Sequence, residues 1–360
     1  MGLKDMLLKQ NLVHQNILDD YIIDLAWSPN GNYLAAITGS GQVALTNMNV
    51  DVLWNELGRH KHSVNSMKWH PHEPFLASGG QDGKLIVWDI SSNREAWSQE
   101  IGGWIDCLSW SSLGHFLASS YGKNLSIWSV SGKHEQIWCD HESTISDIEW
   151  SPDGRFIGAT AKGGITIRGY GGAVKTQQLQ WHGVPIKMAW QPTGTHIAMG
   201  DEEAIHFWEV ETGMHQPLFG YKSKVSKMSW SSDGRFLATS DKESLVIWDC
   251  CSQNSTNEEL FPLAFLVSQK SLVGPGGTKP ILLKKHKGEI NSLVFQKEGE
   301  LLASGDENGE IHIWNPQKSD MPVKSIALGY PISKIAWSPD GHRIVVGGED
   351  GTVSIVTLDI

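Results

Sequence analysis

Cysteine is scarce in this chain. The 360 residues hold four, Cys107, Cys139, Cys250 and Cys251, with no CxxC pair, and all fall in or beside apolar alternations. That usage fits a reducing compartment rather than a disulfide-stapled secreted domain. No run of 18 apolar residues occurs, so no membrane-spanning helix is expected. The opening MGLKDMLLKQ lacks the apolar core of a secretory signal, and Gly2 begins no acylation motif, because Met6 stands where Ser or Thr is needed. Basic clusters are missing as well. The densest is Lys284-Lys285 beside His286-Lys287, in a chain of net charge −11, which argues against a nucleic-acid footprint. Also absent are GxSxG, a P-loop, HExxH and a GxGxxG that opens a helix. The expectation is a cytoplasmic protein that works without cofactor, nucleic acid or membrane, and not as an enzyme.

Tryptophan, by contrast, is plentiful at 17 residues. A repeat accounts for nearly all of them. Its clearest copy is Val64–Asp89, VNSMKWHPHEPFLASGGQDGKLIVWD. An alternation ends at Trp69, a short run Phe75–Ser78 follows, and after a Gly-rich turn a third run closes on Trp88-Asp89. Side chains alternate faces with period two in a strand, and Gly supplies the positive φ of tight turns, so this reads as three short strands. Aligned on the first-strand aromatic, the copies fall at Trp27, Trp69, Trp110, Trp150, Trp190, Trp230, Phe295 and Trp337. The steps are 42, 41, 40, 40, 40, 65 and 42 residues. The turn after the aromatic recurs as Ser151-Pro152-Asp153-Gly154 and Ser338-Pro339-Asp340-Gly341, and the third strand ends in Trp88-Asp89, Trp248-Asp249 or a variant. Arg168 and Val356 stand where two copies have lost that Trp. A fourth strand precedes each aromatic by about a dozen residues, and one such strand, near Leu12–Leu18, precedes the first copy.

These residues resemble the WD-repeat (Trp-Asp) β-propeller family over residues 11–360. The resemblance implies an all-β fold, a single eight-bladed propeller of four-stranded antiparallel sheets. The N-terminal strand would complete the last blade and close the ring, which removes a free sheet edge. Residues 1–10 form a short lead. The long step is an insertion, 251–283, between blades 6 and 7, with its own apolar run Phe261–Val267. That run is read either as an added hairpin or a cover for the outer strand of blade 7, or as a docking segment for a partner in a larger complex.

Fifteen His suggest metal sites, but His60 and His286 have a structural explanation. In WD-repeat proteins a buried network links a His, a Ser, an Asp and the third-strand Trp. Here the matching residues are His60, Ser78, Asp82 and Trp88, with His286, Ser304, Asn308 and Trp314 as a looser second copy. Buried indole and imidazole groups need such partners. His70 and His72, near Glu73, are weak metal candidates, since zinc takes three or four ligands. No metal is expected.

In the family, the loops from fourth to first strand and from second to third form the usual partner-binding rim. Similar positions in the β subunits of heterotrimeric G proteins hold binding residues. Six residues before the aromatic, the rim set includes Tyr21, Trp104 and Lys224; four before it, Ile23 and Asp106. Trp104 is the one Trp outside the repeat classes, and exposed aromatics are common interface anchors. Seven residues before the third-strand Trp position, blades 5 to 8 carry Asp201, Asp241, Glu307 and Glu349, an acidic arc suited to a partner with a basic segment. The expected function is therefore a protein-interaction scaffold. The alternative is a metal- or small-molecule-dependent activity in the central channel or at a His cluster.

Overall fold

The computed structural model describes residues 12–50, 52–170, 176–250 and 279–359. The N-terminal lead and Phe261–Val267 lie outside the described residues. The chain forms eight four-stranded antiparallel sheets. Blades 1 to 7 each take four consecutive strands, ordered from the first, innermost strand to the fourth. Blade 2, for instance, comprises Val64–Trp69, Phe75–Gly80, Lys84–Asp89 and Arg94–Glu100. Blade 8 has three strands of its own, Ile332–Trp337, Arg343–Gly348 and Thr352–Thr357. Its fourth is Leu12–Ile17, which pairs antiparallel with Thr352–Thr357 (Leu12 opposite Val356, Ile17 opposite Thr352). First strands of successive blades touch all the way round, including blade 8 with blade 1, so the ring is closed.

Burial follows from this stacking. Second and third strands are covered on both faces by neighbouring blades, so Leu76–Gly80 and Leu85–Trp88 are buried without alternation. Fourth strands such as Arg94–Glu100 lie on the perimeter and are largely exposed. The apolar core divides into clusters that each span a seam. One joins Ala35, Ile37 and Val43 of blade 1 to Met67, Leu76 and Ile86 of blade 2. Another joins Val345, Val353 and Ile355 of blade 8 to Ile22, Leu25 and Trp27 of blade 1.

Two boundaries differ from expectation. Ile281–Lys284, assigned from sequence mostly to the insertion, pairs with Ser244–Asp249 as the fourth strand of blade 6. The added length therefore falls inside blade 6, before its last strand, and not between blades. The sequence places the start of the first strand at the rim set, six residues before the aromatic; the strands begin five before it at most, three before it in blades 3 to 5 (Cys107–Trp110, Asp147–Trp150, Lys187–Trp190) and two before it in blade 6 (Met228–Trp230).

Candidate functional site

The fourth-to-first and second-to-third loops share one rim, because their backbones bond to each other. The N–H of His60 donates to Gly41 O at 2.9 Å, that of Gln81 to Ser63 O at 2.9 Å and that of Glu349 to Pro331 O at 3.0 Å. Tyr21 stands on this rim, 46% exposed. Its ring lies over Gly39, where a Cβ would come within 2.2 Å of Tyr21 Cε1, so only glycine permits the arrangement. Trp104 is 61% exposed. Its neighbour Ile105 is fully buried, which fixes the backbone beneath the indole. Lys224 is exposed too.

Other expected rim residues are placed differently. Ile23 is half-buried against the core between blades 1 and 2, so it is packing rather than a contact point. Asp106 is half-buried, and burial pushes its carboxyl above the usual range. Asp201 does not belong to an exposed arc. It is only 6% exposed and accepts hydrogen bonds from His206 Nε2 (2.9 Å), Trp181 Nε1 (3.0 Å) and the N–H groups of Glu203 and Ala204. Burial alone would raise its carboxyl, but those donors hold it below the ordinary carboxylate range. Asp241 is half-buried and accepts from the N–H of Lys222 at 2.8 Å. Glu307 and Glu349 are exposed, and so is Glu289. Of the four residues of the expected arc, the exposed pair, Glu307 and Glu349, lies on blades 7 and 8.

Beneath the rim lie the polar networks. His60 Nδ1 is 2.9 Å from Asp82 Oδ1, His60 Nε2 is 2.9 Å from Ser78 Oγ, and Trp88 Nε1 donates to Ser78 Oγ at 2.9 Å. The chain balances if Nδ1–H donates to the carboxylate and Ser78 donates to Nε2. In blade 7 the same chain runs from Trp314 Nε1 through Ser304 Oγ to His286 Nε2. Its acid is Asp306, 2.8 Å from His286 Nδ1, and not Asn308, whose side chain is exposed. Asp306 sits on the second strand itself, two residues before the position that Asp82 occupies in blade 2. Blade 6 replaces the His with Tyr221, whose hydroxyl accepts from Trp248 Nε1 at 2.7 Å. His182 is exposed, and His141 binds only Lys123 O through Nδ1, so neither builds the full network.

His70 is buried, and both its ring nitrogens are engaged. Nδ1 accepts from the N–H of His72 (3.1 Å) and Glu73 (2.8 Å), while Nε2 is 2.9 Å from Gly114 O. His72 Nε2 reaches Ser112 O at 3.0 Å. Among the described residues no three His, Cys, Asp or Glu side chains gather in a metal-ligating group.

One linkage was missed in the sequence, although the residues were in view. First-strand indoles stitch the seams. Trp69, Trp110, Trp150, Trp190, Trp230 and Trp337 each donate Nε1–H to a carbonyl of the preceding blade, on Ala26, Lys68, Ser109, Glu149, Ala189 and Val294, at 3.0 to 3.3 Å. Phe295 has no side-chain N–H to offer, and Trp27 Nε1 is buried without a partner among the described residues. The signal was available: each acceptor is the residue just before the preceding blade's aromatic.

Eight such blades define a Trp-Asp repeat propeller. The profile described as "WD domain, G-beta repeat" matches residues 99–129, 132–167, 214–249, 277–315 and 323–356. One described as "Anaphase-promoting complex subunit 4 WD40 domain" matches 25–113. The chain belongs to the WD-repeat family. It is similar to a probable cytosolic iron-sulfur protein assembly protein 1 of Cryptococcus neoformans var. neoformans serotype D, at 33% identity over 105 residues, 23% of this chain and 24% of that protein. The anaphase-promoting complex subunit cdc20 of Dictyostelium discoideum is 32% identical over 122 residues, 32% of this chain and 23% of that one. The cytoplasmic dynein 1 intermediate chain of Drosophila melanogaster is 33% identical over 89 residues, 22% and 13% respectively. The matches thus span a quarter or less of these relatives. Among solved structures, the computationally designed Ika8 protein has a TM-score of 0.75 at 17% identity, covering 97% of this chain and 99% of that one, a likeness of fold.

Proposed function

We propose that the protein is a non-catalytic interaction platform that holds a partner protein on the rim of the fourth-to-first and second-to-third loops. The observation that carries this reading is Trp104. Its indole is 61% exposed and, among the described residues, makes no hydrogen bond or ring contact. An indole held this way is free to enter a partner's pocket, and covering its apolar area contributes on the order of 2 kcal/mol. Tyr21 serves as the second anchor. Glu289, Glu307 and Glu349 favour a basic segment on the partner and act mainly on the rate of encounter. The names of the matched relatives, a subunit of the anaphase-promoting complex and a dynein chain among them, support a place in a larger assembly. A cytoplasmic location goes with this reading.

The test is affinity capture from the native host with wild type and with Trp104→Ala/Tyr21→Ala, compared by mass spectrometry. The main partner should be lost from the variant while the melting temperature stays the same. Undiminished capture would move the binding surface elsewhere.

A further inference from the structure

Blade 4 has lost the middle of its polar network and kept both ends. His141 stands where blade 2 has His60, Ala159 where it has Ser78, and Arg168 where it has Trp88. In blade 2 the Ser78 hydroxyl joins the other two, giving to His60 Nε2 and receiving from Trp88 Nε1. Ala159 has no hydroxyl, and the atoms on either side of the gap go without. His141 Nε2 and Arg168 Nε are both buried with no hydrogen-bond partner among the described residues. Their needs are opposite. His141 is 6% exposed, and its Nδ1 lies 3.1 Å from Lys123 O, so that nitrogen carries the proton. Burial, and then Arg168, hold the ring below the ordinary histidine range, so it is neutral and Nε2 offers a lone pair. Arg168 Nε can only donate. Its Nη2 is committed to Asp140 Oδ1 at 2.6 Å, and its guanidinium carbon lies 5.5 Å from the Trp138 ring centre, which together hold the group in place.

Both residues line a cleft of about 460 Å³. It lies at the rim, on the side of blade 4 that faces blade 3. Ala159 packs into the core shared with blade 3, and Thr166 and Gln178, opposite it on the next two strands, share its face. The wall is polar without a formal charge excess, since Arg168 and Lys162 are matched by Asp140 and Glu142. Thr166 Oγ1 donates to Gln178 Oε1 at 2.7 Å, and Gln178 Nε2 donates to Gly163 O at 3.1 Å. The second amide hydrogen of Gln178 has no partner among the described residues and is left to donate. Trp181 supplies the aromatic part of the lining.

We propose that this cleft binds a small neutral compound with several ring hydroxyls, a free monosaccharide or cyclitol, one hydroxyl of which takes the place of the missing serine oxygen. A hydroxyl can accept from Arg168 Nε and donate to His141 Nε2 at a single atom, whereas a carboxylate cannot donate and an ammonium cannot accept. Two buried polar atoms without partners are a standing penalty, and the ligand removes it. The matched charges of the wall give an ion no advantage over a neutral molecule. Gln178 as donor and the carboxylates of Asp140 and Glu142 as acceptors suit the remaining hydroxyls, and the cleft falls in the volume range of small-molecule sites, about 300–1,000 Å³. The site uses neither Trp104 nor Tyr21 and does not rest on the platform reading.

Saturation-transfer NMR on the whole chain tests the proposal, with D-glucose, D-galactose, D-mannose and myo-inositol as probes and dioxane as a ring without hydroxyls. At least one hydroxylated probe should receive transfer, and dioxane none. Ala159→Ser supplies the oxygen from within, so it should abolish the transfer and raise the thermal midpoint. Gln178→Ala, at an exposed position of the outer strand, should weaken binding about threefold or more, the loss of one ordinary hydrogen bond. Undiminished transfer in either variant, a lowered midpoint in Ala159→Ser, or transfer to dioxane equal to that of the sugars would overturn the proposal. So would an absence of transfer to every hydroxylated probe. That result would leave the gap to water, or to a partner's side chain if Ala159→Ser also lost a captured protein.

Discussion

Replacing Asp306 with Ala should unsettle blade 7 by about 2–5 kcal/mol, whereas replacing Asn308 should cost no more than about 0.5 kcal/mol. The figure comes from what Asp306 holds. Its carboxylate is wholly buried and accepts three hydrogen bonds, from His286 Nδ1 at 2.8 Å and from the N–H groups of Asn308 and Glu310 at 3.0 and 2.9 Å. Without it the His286 N–H is left unpaired in a buried site, at a cost of about 1–3 kcal/mol. The two turn amides lie at half-exposed or exposed residues and recover water, so each adds about 0.5–1 kcal/mol. Asn308, exposed, lends the network only its backbone. The assay is the urea midpoint of the two variants beside wild type, with slopes compared so that a change in compactness is not read as a change in stability. If Asp306→Ala lost less than about 1 kcal/mol, or if Asn308→Ala matched it, the buried carboxylate would not be the keystone of this network.

Further outcomes follow from the seams and the titrating groups. Trp150→Phe removes the bond to Ser109 O and should cost about 1–2 kcal/mol, while Trp27→Phe, which discards a buried N–H without a partner, should cost about 1 kcal/mol less by the same urea measurement. Glu149 holds its proton more tightly when folded, at about 7 against 4.5, so stability falls as pH rises from 4.5 through 7; Glu149→Gln keeps an acceptor for Trp190 N–H and should flatten that slope, gaining up to about 3 kcal/mol at pH 8. His312 behaves oppositely. Burial first, and then the neighbouring His286, lower it to about 4, so its stabilising share is complete above pH 6.5 and is lost as pH falls towards 4, a window of about 3 kcal/mol that His312→Phe should erase from the acid limb. Asp201→Ala should lower the urea midpoint and leave the partner's on-rate unchanged, whereas Glu307→Gln/Glu349→Gln should do the reverse; a slower on-rate in Asp201→Ala would restore Asp201 to the recognition surface.

The architecture was legible because each blade repeats the same physical demands at the same spacing. Trp27, Trp69, Trp110 and their counterparts mark a strand that must pack on two neighbours, and the intervening Gly residues mark turns whose φ is positive, as at Gly31, Gly154 and Gly341. The network of His60, Ser78, Asp82 and Trp88 was legible for the same reason: one spacing, one chemistry. Legibility failed where a blade meets the demand by another route. Blade 7 takes its acid from the strand, at Asp306, because the turn position is Asn308. Blade 5 has Met199 where blade 2 has Ser78, and it satisfies Trp181 and His206 through Asp201 instead, which draws into the interior a residue whose position suggested the rim. A carboxylate at a loop position can serve either water or a buried donor, and sequence spacing does not distinguish them. The channel ion pairs were hidden for a further reason: Asp147 and Lys187 are 40 residues apart, and Asp24 and Lys334 meet only when the ring closes.

Closure itself sets which seams carry the most risk. Six seams hold an inter-blade indole bond, and the two that lack one are 6/7, where Phe295 replaces Trp, and 8/1, where Trp27 Nε1 finds no acceptor. The 6/7 seam compensates with Ser229 Oγ, which accepts from the N–H of Phe295, and with a core that includes Phe236, Leu293 and Trp314. The 8/1 seam is crossed by one short loop, residues 18–21, which leads from Leu12–Ile17 in blade 8 to Ile22–Trp27 in blade 1. It is held by the core that joins Val345, Val353 and Ile355 to Ile22, Leu25 and Trp27, by the Lys334–Asp24 ion pair, and by Arg343, whose guanidinium carbon sits 5.0 Å from the Trp27 ring centre. Two of those three devices are electrostatic, and exposed ion pairs weaken with salt. The 8/1 seam should therefore be more sensitive to ionic strength than the seams stitched by an indole, because an N–H bound to a buried carbonyl is screened far less than a lysine that reaches the channel water.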